Sequence, residues 1–245
     1  MAQAGKSGLL AKFVVFVGLT GLAALPVGAF GHRFGLFELT TGLAVVFTGI
    51  VLATIVLVLA IATLVFVYTR RRRADRMPAL VGLLASVVVL AVTGPYYAAL
   101  SLPMTTDVTT NPNDPPVFEH LAANRAPGEN LLDYTEDEAR MQAESYPDLV
   151  AIRASGGVHE NIGKAVGVAR ALGWDVVREN ANTGLIEATD TTFWFGFEDD
   201  VAIRVRRESS ETVVDVRSAS RVGLHDLGTN AERIRAFVER WHDDE

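Results

Sequence analysis

LTTGLAVVFTGIVLATIVLVLAIATLVFVY, residues 39–68, runs thirty positions without a charged side chain. A bilayer's hydrocarbon core takes about 20 apolar residues in helix, because in lipid only an internally hydrogen-bonded backbone can cross. A buried helix of a water-soluble protein rarely runs so far uncharged, so this stretch is read as a membrane span. Two further charge-free stretches flank it, Phe13 to Gly31 and Met77 to Thr106. Expected spans are about 9–31, 39–68 and 78–102. Thr63, Gly82 and Ser86 suit helices that approach one another closely or satisfy their own backbone. A cleavable signal peptide is the rival reading of the first stretch. Lys6 and Lys12 would form its basic region and Val27-Gly28-Ala29 a small-residue cleavage site. The apolar stretch is longer than such signals use, and two spans follow it.

The chain has 245 residues, a formal net charge of −7 and no cysteine. Without cysteine there is no disulfide framework, thiolate metal site or thiol nucleophile. The charge is divided unevenly. Residues 1–103 carry eight Lys+Arg against Glu38 and Asp75, whereas residues 104–245 carry fourteen against twenty-seven acids, a balance of −13. The basic residues gather at Lys6, Lys12 and the loop Arg70-Arg71-Arg72-Arg73-Ala74-Asp75-Arg76, with only Arg33 in the other short loop. The positive-inside rule then puts the N-terminus and the arginine loop in the cytoplasm and everything after about Met104 outside. In a bacterial inner (plasma) membrane the second half would be periplasmic. Tyr96 and Tyr97 fit an interfacial aromatic belt. No acid or histidine lies within a span, so proton relay and ion coupling are not indicated. Residues 1–103 are read as an anchor whose partner is the lipid bilayer.

Residues 104–117 form a Thr, Asp and Pro run whose prolines at 112, 115 and 116 favour extended backbone, and it is read as a semi-rigid spacer. Residues 118–245 read as globular. Thr135-Glu136-Asp137-Glu138 is a capping box opening a helix that Pro147 ends. Ile162, Ala165, Val166, Ala169 and Leu172 recur at helical spacing before Gly173. Leu185 to Phe195, Val201 to Arg207 and Thr212 to Arg221 are rich in β-branched and aromatic residues and are joined by connections of hairpin length. Thr229-Asn230-Ala231-Glu232 is read as a second capping box, before the apolar stripe Ile234, Phe237, Val238, Trp241. The fold class is therefore three N-terminal transmembrane α-helices plus an extracytoplasmic α+β domain, a mainly antiparallel sheet covered on one face by helices. Val201, Ile203, Val205, Val214 and Val216 point to those helices. Arg204, Arg206, Asp215, Arg217 and Arg221 point to the other face, which is expected to be solvated. Ser218 and Ser220 continue the buried side, where each hydroxyl needs a partner.

Phe197, Asp199, Asp200 and Val201, then Arg217, Ser218, Ser220, Arg221 and Gly223, then Asp226, Gly228 and Asn230, with Arg233 opening the last helix, make a distinctive series. It resembles the domain of unknown function 1499 family. Thr105-Thr106-Asp107, Pro115-Pro116-Val117-Phe118 and Tyr146-Pro147-Asp148 are similar to its membrane-anchored branch. The resemblance covers roughly Leu102 to Trp241 and implies a domain, not an activity.

Physically, the series allows three uses. Arg217 and Arg221 with Asp199, Asp200 and Asp226 would lock a hairpin end to the last helix through Arg–carboxylate pairs, with Asn230 near its N-cap and Gly223 and Gly228 at positive φ. Alternatively Arg217, Arg221, Ser218, Ser220 and Asn230 would receive an anionic ligand such as a headgroup or carboxylate. A metal-assisted hydrolase would use Asp199, Asp200 and Asp226, but the His225-Asp226 spacing is no recognised ligand spacing, and no cofactor or metal site is indicated. Ser218 with His225 lacks a hydrolase elbow. The acidity of the second half, with Lys164 its only lysine, argues against nucleic acid. The expectation is a non-catalytic binding or interaction module at the cell envelope. The alternatives are the hydrolase and an accessory subunit of a larger membrane complex.

Overall fold

The computed structural model describes residues 2–243, with side chains from residue 8, so the charge of Lys6 and the last two residues lie outside what is described. The chain divides into two units, one formed mainly by residues 1–98 and one mainly by residues 99–245.

The first unit contains α1 (Ala2–Arg33), α2 (Leu39–Thr69) and α3 (Arg76–Ala99), all long and apolar enough to cross a membrane. Glycines set how closely they pack. A Cβ on Gly28 would lie 2.5 Å from the Gly42 carbonyl oxygen, and one on Gly49 would lie 2.7 Å from that of Gly21. Any side chain there would push α1 and α2 apart, which is how small residues drive helix association in lipid. Thr63, Ser86 and Thr93 each donate to the carbonyl four residues back, at 2.7, 2.9 and 2.9 Å, and so bring no unmet polar group into the apolar layer. Phe16, Phe47, Val58, Val65 and Leu84 point outward, as a lipid-facing surface requires.

The second unit is a sheet with helices. Its strands are β1 (Asp107–Thr109), β2 (Ile152–Ala154), β3 (Asp175–Asn180), β4 (Leu185–Thr191), β5 (Glu198–Glu208) and β6 (Glu211–Ser220). They lie in the order β1-β6-β5-β4-β3, with β2 also on β6, and every pairing is antiparallel. The helices are α4 (His120–Asn124), α5 (Glu136–Ser145), α6 (Val158–Ala171) and α7 (Thr229–Asp243). Val201, Ile203, Val205, Val214 and Val216 meet Ile162, Ala165 and Ala169 of α6 and Ile234, Phe237 and Trp241 of α7 in one core. Trp174 stacks on Phe237 with ring centroids 5.6 Å apart.

Three expectations are corrected. The run 104–117 is not merely a spacer. Asp107–Thr109 is the strand β1, paired with Ala219–Arg217, and Thr109 and Thr110 are buried. Nor is the second sheet face solvated. Phe118, Leu121 and Leu132 cover it, packing on Leu185, Ala202 and Ala219, so that Asp215 and Arg217 are buried there. Finally, the β4–β5 turn falls at 192–197 rather than Gly196 to Asp200, so Asp199 and Asp200 lie within β5.

Candidate functional site

The residues singled out from sequence gather where β5 begins, β6 ends and α7 starts. The pleat of β5 turns Asp199 and Asp200 to opposite faces of the sheet. Asp199 joins a cluster on the helix side and Asp200 one on the face covered by residues 116–132, so two neighbours in sequence serve separate networks.

On the helix side, Arg233 of α7 donates to Asp199 Oδ2 at 2.6 Å and to Asp190 Oδ2 at 2.7 Å. Its remaining terminal nitrogen donates to Ser218 Oγ at 3.0 Å and Asn230 Oδ1 at 2.7 Å. Ser218 also donates to Asn230 Oδ1, at 2.7 Å. The Asn230 amide donates to Ser220 Oγ and to the Thr106 carbonyl, both at 3.0 Å. Both serine hydroxyls thus have the partners their burial demands. Asn230 is not the cap of α7. That role belongs to Asp226, whose carboxylate takes the N–H groups of Gly228 at 2.9 Å and Asn230 at 3.0 Å. Burial pushes the Asp226 carboxyl up, and those two backbone bonds pull it part of the way back. The second capping box read at Thr229 is therefore replaced by an Asp three residues before the first residue of the helix. Gly223 and Gly228 do take positive φ, 96° and 83°. His225 accepts from the Leu227 N–H through Nδ1 at 2.9 Å.

On the other face, Arg217 is 3% exposed. It grips Asp107 through Nε at 3.0 Å and a terminal nitrogen at 2.7 Å, and donates to the carbonyls of Pro116 at 3.1 Å and Leu132 at 2.7 Å. The rings of Phe118 and Tyr134 lie against its guanidinium, 5.1 and 5.6 Å from it. Burial pushes the Asp107 carboxyl up, and Arg217 pulls it part of the way back. The Tyr134 hydroxyl is raised too, by burial first and then by the Asp107 charge. Asp200 has no exposure and is held from two sides, by Arg221 at 2.8 and 2.9 Å on Oδ1 and by Arg125 at 3.0 Å on Oδ2. Arg221 also pairs with Glu198.

Asp107, Arg125 and Glu187 carry as much of this face as the residues picked from sequence. Glu187, with no exposure, takes the backbone N–H groups of Glu119 at 2.9 Å, His120 at 2.9 Å and Leu121 at 3.0 Å. A charge in the middle of the strand segment Leu185–Thr191 was the signal that could have found Glu187. Asp107 stood within a matched triplet but was assigned to the spacer, and Arg125 had no local signal.

Chemically the residues picked from sequence are closed on one another, while His225 Nε2, Tyr146 Oη and Asp215 Oδ1 are buried without a hydrogen-bond partner. Every buried side-chain nitrogen or oxygen of Arg217, Arg221, Ser218, Ser220, Asn230, Asp199, Asp200 and Asp226 has a hydrogen-bond partner. Asp199, Asp200 and Asp226 do not converge, and among the described residues no three His, Asp or Glu side chains gather as a metal site would require. What the geometry does is tie β1, the strap over residues 116–132, β5, β6 and α7 together at one end of the sheet. A family model described as "Protein of unknown function (DUF1499)" matches residues 107–240. No curated protein matches the chain.

Proposed function

The chain belongs to the DUF1499 family, a membership that carries no activity with it, and from that premise we propose a membrane-anchored, non-catalytic interaction module. Its three apolar helices hold it in a bacterial plasma membrane and its α+β domain stands on the extracytoplasmic side. One observation carries the non-catalytic reading. The charged residues that would have to bind an anion or a metal are already bonded to one another, Arg217 to Asp107, Arg221 to Asp200 and Arg233 to Asp199. A reactive or ligand-binding centre keeps at least one group aimed at the space where the substrate goes. The extracytoplasmic side rests on the bias of the arginine loop.

The absence of cysteine allows a direct test on the full chain. Ser210→Cys, on the exposed β5–β6 turn, and Arg71→Cys, in the arginine loop, are labelled in intact spheroplasts with a membrane-impermeant maleimide. Reaction at position 210 and protection at 71 are expected, and the reverse pattern would overturn the orientation. The same protein in nanodiscs is then heated with phosphate, citrate, Mg²⁺, Mn²⁺ and Zn²⁺ in turn. A ligand that binds only the folded state raises the midpoint. No rise is expected, and a rise abolished by Arg221→Ala would sink the closed-network reading.

A further inference from the structure

The two ends of the sheet differ in chemistry. Strand pairing places Asp107 across from Ala219 and Ala219 across from Asp200, while Thr191 pairs with Glu198. The start of β1, the β4–β5 turn and the β6–α7 connection therefore share one end. At that end Phe193 and Trp194 of the turn are 68% and 45% exposed, and Leu224 of the connection is 83% exposed, beside the partly exposed Val222. The opposite end carries the turns Ala181-Asn182-Thr183-Gly184 and Glu208-Ser209-Ser210-Glu211, which hold no large apolar side chain. Solvated loop tips are ordinarily polar. Large apolar side chains on two separate loops at one end, and none on the turns at the other, mark a surface that is not meant for water.

The chain's own path says what that surface faces. The last apolar helix ends at Ala99, and by Thr105 the backbone is already bound into the domain, its carbonyl accepting from the Asp226 N–H at 3.0 Å. The tether between is Leu100 to Met104, in which Leu100, Leu102 and Met104 are themselves exposed and apolar. So few residues reach at most about 20 Å even fully extended. The tether enters at the apolar end, because β1 begins there. Tryptophan partitions to the boundary between headgroups and acyl chains, where its apolar ring and polar N–H are both accommodated, and phenylalanine and leucine supply the apolar side of segments that lie there.

We propose that the apolar end of the sheet, through Phe193 and Trp194 of the β4–β5 turn and Leu224 of the β6–α7 connection, inserts into the outer interface of the bilayer that holds the chain's helices. This rests on the membrane reading of those helices and adds a second, peripheral contact to it. The contact is apolar, not electrostatic: the domain side of the chain carries −13, so anionic lipid would repel it. Attachment should therefore be indifferent to salt and to the anionic lipid fraction.

Tryptophan reports this directly. The chain has three, and none lies in the apolar helices. Trp174 and Trp241 are buried in the domain, at 5% and 0% exposure, which leaves Trp194 as the lipid-accessible reporter. Full-length protein is reconstituted into phosphatidylcholine vesicles with bromines placed either high or low on the acyl chains. Flotation first establishes that the protein is in the vesicles, and failure there would overturn the membrane reading itself. The expected result is quenching by the shallow bromines, stronger than by the deep ones. It should be lost in Trp194→Phe and unchanged by molar salt or added phosphatidylglycerol. In Phe193→Ser/Leu224→Ser the Trp194 emission should shift red and become open to aqueous iodide. If Trp194 of the floated wild-type protein is quenched by iodide and not by bromines, the end faces water and the proposal fails. Shielding from both quenchers would mean that protein covers the end, and would overturn it equally.

Discussion

Replacing Arg217 with methionine separates architecture from ligand binding. Methionine keeps an apolar stem between the Phe118 and Tyr134 rings but removes every donor, leaving Asp107, itself 5% exposed, without its guanidinium. Removing one partner of a buried ion pair costs about 3–5 kcal/mol, because the other charge stays behind in a poor solvent. For a domain of this size that is a drop in the thermal midpoint of roughly 10–20 °C. Tryptophan fluorescence of the full chain in nanodiscs reads the domain, since the apolar helices contain no tryptophan. The deficit must also depend on pH. Burial already holds the Asp107 carboxyl above its ordinary value, and losing Arg217 raises it further. A raised carboxyl costs nothing below its unfolded pKa of about 4, where it is protonated in both states, and costs progressively more as pH rises toward the folded value. Arg217→Met should thus be closest to wild type in acid and furthest from it at neutral pH. Adding Asp107→Leu to Arg217→Met should restore most of the midpoint, since a buried pair replaced by apolar groups is often neutral. If Arg217→Met instead melts within about 2 °C of wild type at neutral pH, Arg217 is not holding β1 and is free to serve a ligand.

Two further outcomes follow from the same contacts. Glu187→Gln leaves one acceptor oxygen for the three N–H groups of residues 119–121, and should cost about 1–3 kcal/mol. Hydrogen exchange should quicken at Glu119–Leu121 while α7 stays protected, and unchanged exchange would show that Glu187 does not secure the strap. For Asp226, whose carboxyl is raised by burial, the folded protein holds the proton more tightly than the unfolded chain. Its contribution therefore falls as pH rises above about 4, so the wild-type midpoint should decline more steeply with pH than that of Asp226→Asn. Parallel pH profiles would contradict this.

The parts of the fold legible in sequence are those with a physical period or a strict solvent requirement. A charge-free run such as 39–68 has few uses other than crossing lipid, and the stripe Ile234, Phe237, Trp241 reads as a buried helix face because it repeats at helical spacing. The alternation in β5 and β6 gave the core face correctly and misled about the other. Charges on alternate positions read as solvated only if nothing covers them. The cover here is Pro116 to Leu132, an irregular strap with no periodicity, held by contacts to Arg217 and Glu187 that are distant in sequence. Asp107–Thr109 is too short to show a strand period and lies next to prolines, so it read as a spacer. At the candidate site the residue types were visible but their pairing was not. Asp199 and Asp200 read as one loop cluster, although the pleat sends adjacent residues of a strand to opposite faces, and placing the turn three to four residues late hid that.

The position of the closed network has its own logic. A strand of three residues has too few ladder bonds to hold itself in place. β1 is nevertheless the first element of the domain after the three apolar helices, so any pull on the tether arrives at Thr105 to Asp107. At that residue the side chain is clamped by Arg217 from β6. One residue earlier the Thr106 carbonyl accepts from the Ser220 N–H and the Asn230 amide, and Asn230 is in turn bonded to Arg233 of α7. The load on a marginal strand is thereby passed to a ten-residue strand and a fifteen-residue helix. Had the charged residues served a ligand, removing them would spare the attachment of β1. If they serve the attachment, β1 should come away from β6 before the sheet melts, and exchange of the Val108 and Thr110 amides in Arg217→Met would show it.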